Sequence, residues 1–142
     1  MLQYHDTCCA LIKQINDGIE KKANNAMRDR GMTLIQMAVL IELDNSEDNV
    51  QPLKWLEHKF KVAQPTMLGI VKRLEQKELV ETFVCSEDRR MKMVRMTDAG
   101  KARCNLGYAD MEETEDSIRN ALTESELTAF LAMLKKIQAQ MA

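Results

Sequence analysis

Gln64 and Thr66, followed at helical spacing by Lys72 and Arg73, are the first group of side chains that could do chemistry. Gln can bond an adenine edge bidentately, and Thr can donate, accept or pack on a thymine methyl. Lys and Arg further along the same face reach phosphates, which positions a protein on a duplex without specifying sequence. Leu68 and Gly69 share that outer face. The second group is Arg89 and Arg90, beside Asp88, between two strand-like runs. A guanidinium at a hairpin tip can enter a narrow minor groove, where negative potential is focused. Both groups suit double-stranded DNA. Plainer readings stand beside them: Gln64 and Thr66 as helix-start residues, Lys72 and Arg73 as solvated charge, and an Asp88–arginine pair that only fixes its loop.

These side chains need a scaffold, and apolar periodicity supplies one of six helices and a hairpin. Tyr4, Cys8, Leu11, Ile12, Ile15 and Ile19 predict a first helix from about Leu2 to about Asn24. Thr33 is an N-cap candidate for a second helix carrying Leu34, Met37, Ala38, Leu40 and Ile41. Pro52 suits the first turn of a third, with Leu53, Leu56 and Phe60 buried. After a break at 61–63, a fourth runs from Gln64 to about Lys77 on Met67, Ile70, Val71 and Leu74. Two short helices joined by a tight turn, the second with a polar and basic outer face, make a helix-turn-helix. Leu79 to Cys85 and Met91 to Met96 are strand-like around a five-residue loop, and Val50 and Gln51 can add a third strand. Thr97 can cap a fifth helix to about Ala121. Thr123, with Glu126 three residues on, forms a capping box for a sixth.

The 142 residues suffice for one domain with a substantial core. The net charge of −2 is unevenly spread. From Pro52 to Arg95 there are ten Lys/Arg against six Asp/Glu, a local +4, and the remainder carries −6. The basic middle is where nucleic acid would be met. Eleven methionines with few aromatics indicate Met-rich core filling. No apolar run approaches the roughly 18 residues that span a membrane. The first ten residues have neither a basic start nor a signal-peptide core, so a cytoplasmic protein without membrane contact is expected. The four cysteines form no C-x-x-C pattern and His5 and His58 stand alone, so neither metal nor cofactor is expected. Paired carboxylates, a nucleophile–base set and a phosphate loop are all missing, which argues against an enzyme.

MTLIQMAVL, VAQPTMLGIVKRLEQKELV and SEDRRMKMVRMTDAG together resemble the MarR family of winged-helix regulators over nearly the whole length. The third segment resembles the family's wing signature, an Asp-x-Arg and a Thr-x-x-Gly, falling on Asp88, Arg90, Thr97 and Gly100. The resemblance implies a mainly α fold with a small β-hairpin wing: a winged helix-turn-helix with N- and C-terminal dimerisation helices. In that organisation 1–142 is one unit, 33–97 the DNA-binding lobe, and 1–24 with 98–142 the dimerisation helices. Arg90 becomes the minor-groove probe. Ala63 stands where the family usually has a small hydroxyl residue, and Glu78 where glycine is expected.

The function implied is a homodimeric, sequence-specific transcription regulator on a pseudo-palindromic operator, a repressor released by a small-molecule effector. By resemblance, His5, Met37 and Trp55 are the candidates for the effector cleft. Two alternatives remain. One is a dimeric winged-helix scaffold without DNA binding, which the overall acidity and the apolar Leu68 favour. The other is a thiol-based redox regulator using Cys8 or Cys9; their neighbours Asp6, Thr7 and Ala10 lack the cations that depress a thiol pKa, and a buried apolar role is the bland reading.

Overall fold

The computed structural model describes residues 3–142. The expected helix start at Leu2 lies outside the described residues. Tyr4–Asp6 is a single 3-10 turn, and α1 is Cys8–Asp29. Its N-cap is Thr7, whose Oγ1 accepts the Ala10 amide at 3.2 Å. The helix outlasts the expected Asn24 because nothing breaks it before Gly31, which takes φ +66°. Next comes α2 (Leu34–Asp44), closed at its start by a complete Thr33–Gln36 capping box.

A loop through 45–49 leads to β1 (Val50–Pro52), then α3 (Leu53–Phe60), α4 (Gln64–Gln76), β2 (Val80–Val84) and β3 (Lys92–Met96). The strands form an antiparallel sheet in the order β1-β3-β2. Val50 pairs with Arg95 and Pro52 with Met93 on one side; Val80 pairs with Met96 and Val84 with Lys92 on the other. The short third strand expected at Val50 and Gln51 is therefore present. Two helices follow, α5 (Asp98–Arg119) and α6 (Glu124–Met141).

Contacts divide the chain into two compact units, one ending at Tyr108 and one of Ala109–Ala142. In the first, Val39, Leu40 and Leu43 of α2 are fully buried with Leu56 of α3, Met67 and Leu74 of α4, Val94 of β3 and Cys104 of α5. Each buried leucine contributes about 1.5–3 kcal/mol. Met27, Met32, Met37, Met67 and Met96 complete this core, as the composition suggested. Leu34, counted with the apolar face of α2, is exposed.

The second unit holds the end of α5 and all of α6. Arg119 bonds Glu112 at 2.7 Å and Asp116 at 3.0 Å. Thr123 and Glu126 form the expected capping box. Leu131, Leu134 and Ile137 of α6 are exposed, as are Leu11, Ile12, Ile15 and Ile19 of α1. Cys8 and Cys9 are exposed too, so the buried apolar role does not hold within one chain; Ala10 takes the buried position of that turn. Among the described residues no helix is long and apolar enough to cross a membrane.

Candidate nucleic-acid interface

The turn between α3 and α4 depends on Lys61 at φ 53°, ψ 45°, which reverses the chain as a left-handed helix end. The Val62 amide then donates to the Glu57 carbonyl at 3.1 Å. Ala63 occupies the N-cap of α4 and offers no side-chain acceptor. The first amides of α4 are thus left for another partner. Gln64, Thr66, Lys72 and Arg73 are all exposed. A Cβ at Gly69 would meet nothing within 4 Å, so that face stands clear. Leu68 behaves differently: it is half-buried and leans on the core. Leu68 therefore ties the outer face to the inner one.

At its far end α4 is fastened by polar groups. Lys77 Nζ donates to the Gly31 carbonyl and to Gln36 Oε1, the latter at 3.1 Å. Burial, then the nearby Arg103 and Arg73, push the Lys77 ammonium below its ordinary value. Thr82 Oγ1 donates to Glu75 at 2.6 Å. Glu78 follows at φ 61°, the conformation for which the resemblance implied glycine. A non-glycine residue there costs about 1–2 kcal/mol. The reversal is kept by the Leu79 amide donating to the Leu74 carbonyl at 3.0 Å.

The same corner explains the Thr-x-x-Gly spacing. Thr97 Oγ1 donates to the Glu78 carbonyl at 2.7 Å and accepts the Gly100 amide at 3.0 Å, capping α5. The Thr97 amide donates to the Leu79 carbonyl at 3.0 Å. A Cβ on Gly100 would lie 2.1 Å from that carbonyl oxygen, so only glycine fits unaltered. Thr97 and Gly100 thus join the end of α4 to the end of the hairpin.

The hairpin tip spans 85–91. Asp88 Oδ1 accepts the Arg90 amide at 3.0 Å and Arg90 Nε at 3.2 Å. The Arg90 side chain is nonetheless 92% exposed, so the pair aims it without covering it. Arg89 is exposed and has no ion pair or side-chain hydrogen bond among the described residues. Further down the hairpin, Arg95 pairs with Glu81 at 3.0 Å and lies 4.4 Å over the Phe83 ring, which stiffens the strands.

A cleft of about 260 Å³ opens between these parts, lined by Pro52, Leu53, Lys54, Glu57, Gln64, Arg90, Met91 and Lys92. It joins two sequence-predicted residues, Gln64 and Arg90, and adds Lys54 and Lys92, which sequence reasoning missed. The pairing of Pro52 with Met93 brings the start of α3 beside the start of β3. That register is the signal that could have found them.

His5, Met37 and Trp55 occupy separate settings. His5 packs edge-on against Tyr4, with ring centroids 5.8 Å apart. Met37 is buried in the core against Gly107, and Trp55 is exposed on α3. None of the three lines the cleft. Cys104 is fully buried and burial pushes its thiol up, away from the reactive thiolate. No group of three metal-ligating side chains occurs among the described residues.

The MarR family model matches residues 32–92, the span from just before α2 to the first residue of β3. That stretch is a MarR-family domain. Among curated relatives, it is 29% identical to the HTH-type transcriptional regulator MhqR of Bacillus subtilis (strain 168), over 88% of this chain and 82% of that one. Among solved structures, a mutant of S. aureus MepR superposes with a TM-score of 0.89 at 21% identity, covering 96% of this chain and 99% of that one. The S. aureus MepR–DNA complex superposes at 0.75 and 22% identity, covering 94% and 98%. At these identities the structural likeness concerns the fold: a mainly helical winged helix-turn-helix. The MarR match falls on the lobe that carries Gln64, Arg73 and Arg90.

Proposed function

We propose that this MarR-family protein is a dimeric, sequence-specific DNA-binding transcription regulator acting in the cytoplasm, a repressor released by a small ligand. One observation carries the reading: a clear polar face on α4 and an Asp88-aimed Arg90 project from the same lobe. A helix can enter the major groove while a hairpin arginine reaches the adjacent minor groove. Gln64 and Thr66 are the base readers; Lys72 and Arg73 hold phosphates. The partner is double-stranded DNA with a pseudo-palindromic operator. A second copy of the chain would cover the apolar faces of α1 and α6 and place two lobes on half-sites about 34 Å apart. Release by a small ligand is what membership of the family adds.

The test is a paired titration against selected and random duplexes at fixed salt. Gln64→Ala costs about 1–3 kcal/mol on the selected site and far less on random DNA. Lys72→Ala weakens both alike. Equal losses for Gln64→Ala on the two duplexes would remove it from the base readers. A parent protein that binds no duplex at about 50 mM salt would instead make the dimer a protein-interaction scaffold.

A further inference from the structure

We infer that the cleft between α3, α4 and the wing seats a phosphodiester of the DNA strand separating the two grooves, with Lys54 and Lys92 as its principal holders. This rests on the DNA-binding reading above. Three cations line the cleft, Lys54, Arg90 and Lys92, against one acid, Glu57. Arg90 is already committed to Asp88. Lys54 and Lys92 are exposed and form no ion pair or side-chain hydrogen bond among the described residues. Two lysines converging on one hollow repel each other, and an anion relieves that repulsion. The first turn of α3, which no side chain caps, contributes a further partial positive charge.

The occupant follows from where the cleft lies. Gln64 at the start of α4 and Arg90, Met91 and Lys92 of the hairpin line the same cleft. If the start of α4 enters a major groove and the hairpin tip the neighbouring minor groove, the sugar-phosphate strand between those grooves passes the cleft that both elements line. The cleft is also smaller than the roughly 300–1,000 Å³ usual for small-molecule sites. A single phosphate, bound from one side and continuing out at both ends, suits it better than an enclosed ligand. Lys54 and Lys92 would add affinity without sequence preference, beside a residue that reads bases.

The experiment measures the salt dependence of binding to a random duplex for the full chain, for Lys54→Ala with Lys92→Ala, and for Glu57→Gln. Removing both lysines lowers the slope of log K against log salt by about 0.9 for each occupied cleft, and affinity at about 0.1 M salt falls roughly eightfold per cleft. The loss is equal on selected and random DNA. Glu57→Gln, which deletes the one acid of the cleft, tightens binding, a gain that misfolding cannot imitate. A double variant that keeps the parent's slope would overturn the proposal and leave the DNA-binding reading standing. A parent that binds no duplex would overturn both. Inorganic phosphate probes the other source of the same chemistry. If it raises the melting temperature of the parent but not of the double variant, while both keep one slope, the cleft takes a free anion and the DNA assignment falls.

Discussion

The Tyr108 hydroxyl donates to Asp44 Oδ2 across 2.8 Å, while Lys101 holds the other oxygen of the same carboxylate. Asp44 is the last residue of α2, and Lys101, Cys104 and Tyr108 lie on one face of α5. The carboxylate accepts from two donors, so its charged form is favoured. Lys101 first and Tyr108 second hold Asp44 below the usual carboxylate range. The clamp is fully formed above the ordinary carboxylate value of about 3.9 and is lost as pH falls through the lower folded value. Asp44→Asn should flatten the acid limb of stability below about pH 4, with little change in slope between pH 6 and 8. Melting temperature as a function of pH checks this; a parent and variant with parallel acid limbs would show that the clamp is energetically silent.

Gly100 and Gly107 should respond differently to alanine. At Gly100 the new methyl meets backbone, the Leu79 carbonyl oxygen at 2.1 Å. At Gly107 it meets the Met37 side chain, with Sδ at 2.5 Å. A thioether can turn aside more cheaply than a strand end can move. Gly107→Ala should cost about 1–2 kcal/mol, and Gly100→Ala about 3 kcal/mol or more. Urea denaturation of the two variants gives the order, and the reverse order would refute it.

The wing pair makes its own prediction. Arg90→Ala should weaken binding to any duplex and reduce the salt slope by about one per engaged hairpin. Asp88→Ala leaves the arginine in place but releases its aim, so affinity should fall by less with the slope kept. Arg89→Ala should do less than Arg90→Ala. Circular dichroism should be unchanged in all three, because the tip is exposed. If the double variant of Arg89 and Arg90 binds as the parent does, the hairpin only braces itself.

The exposed isoleucines and leucines of α1 and α6 predict a self-associating chain. Light scattering should give about twice the 16.3 kDa chain mass in dilute solution. Ile15→Glu together with Leu134→Glu should shift it towards the single-chain mass, since a buried unpaired carboxylate is costly. A stable single-chain mass for the unaltered protein would sink the dimer.

Local signals in the sequence were sufficient for most element starts. Thr33 with Gln36 and Thr123 with Glu126 each place a hydroxyl three residues before a side-chain acceptor, and that spacing alone predicts a cap. Tyr4 continues the apolar period of α1, yet residues 4–6 form a separate 3-10 turn, because the Thr7 hydroxyl caps α1 at Cys8 and periodicity cannot see a cap. The burial of Leu68 was hidden for a similar reason: its angular position is outward, but a long side chain reaches the core. The cleft shared by Lys54 and Lys92 and the Asp44–Tyr108 bond are not legible from local patterns, because they bring together residues far apart in sequence. Such contacts depend on strand register and helix docking, which no short window contains. Cys8 and Cys9 are small and apolar enough to be buried, yet the fold turns that side of α1 outward.

The fastenings of α4 have a mechanical consequence. Its directional side-chain bonds, through Lys77 and Thr82, gather with the Leu79 amide bond at the C-terminal end, whereas the N-terminal end rests on the apolar contacts of Met67 and Leu68. The helix therefore works as a lever pivoted behind its tip. Thirteen residues give an arm of about 20 Å. A tilt of about 5° at the pivot swings Gln64 by about 1.7 Å, more than the roughly 0.5 Å spread of a sound hydrogen bond. If Gln64 reads bases as proposed, the grip of Lys77 on the Gly31 carbonyl at the opposite end helps to set where that side chain lands.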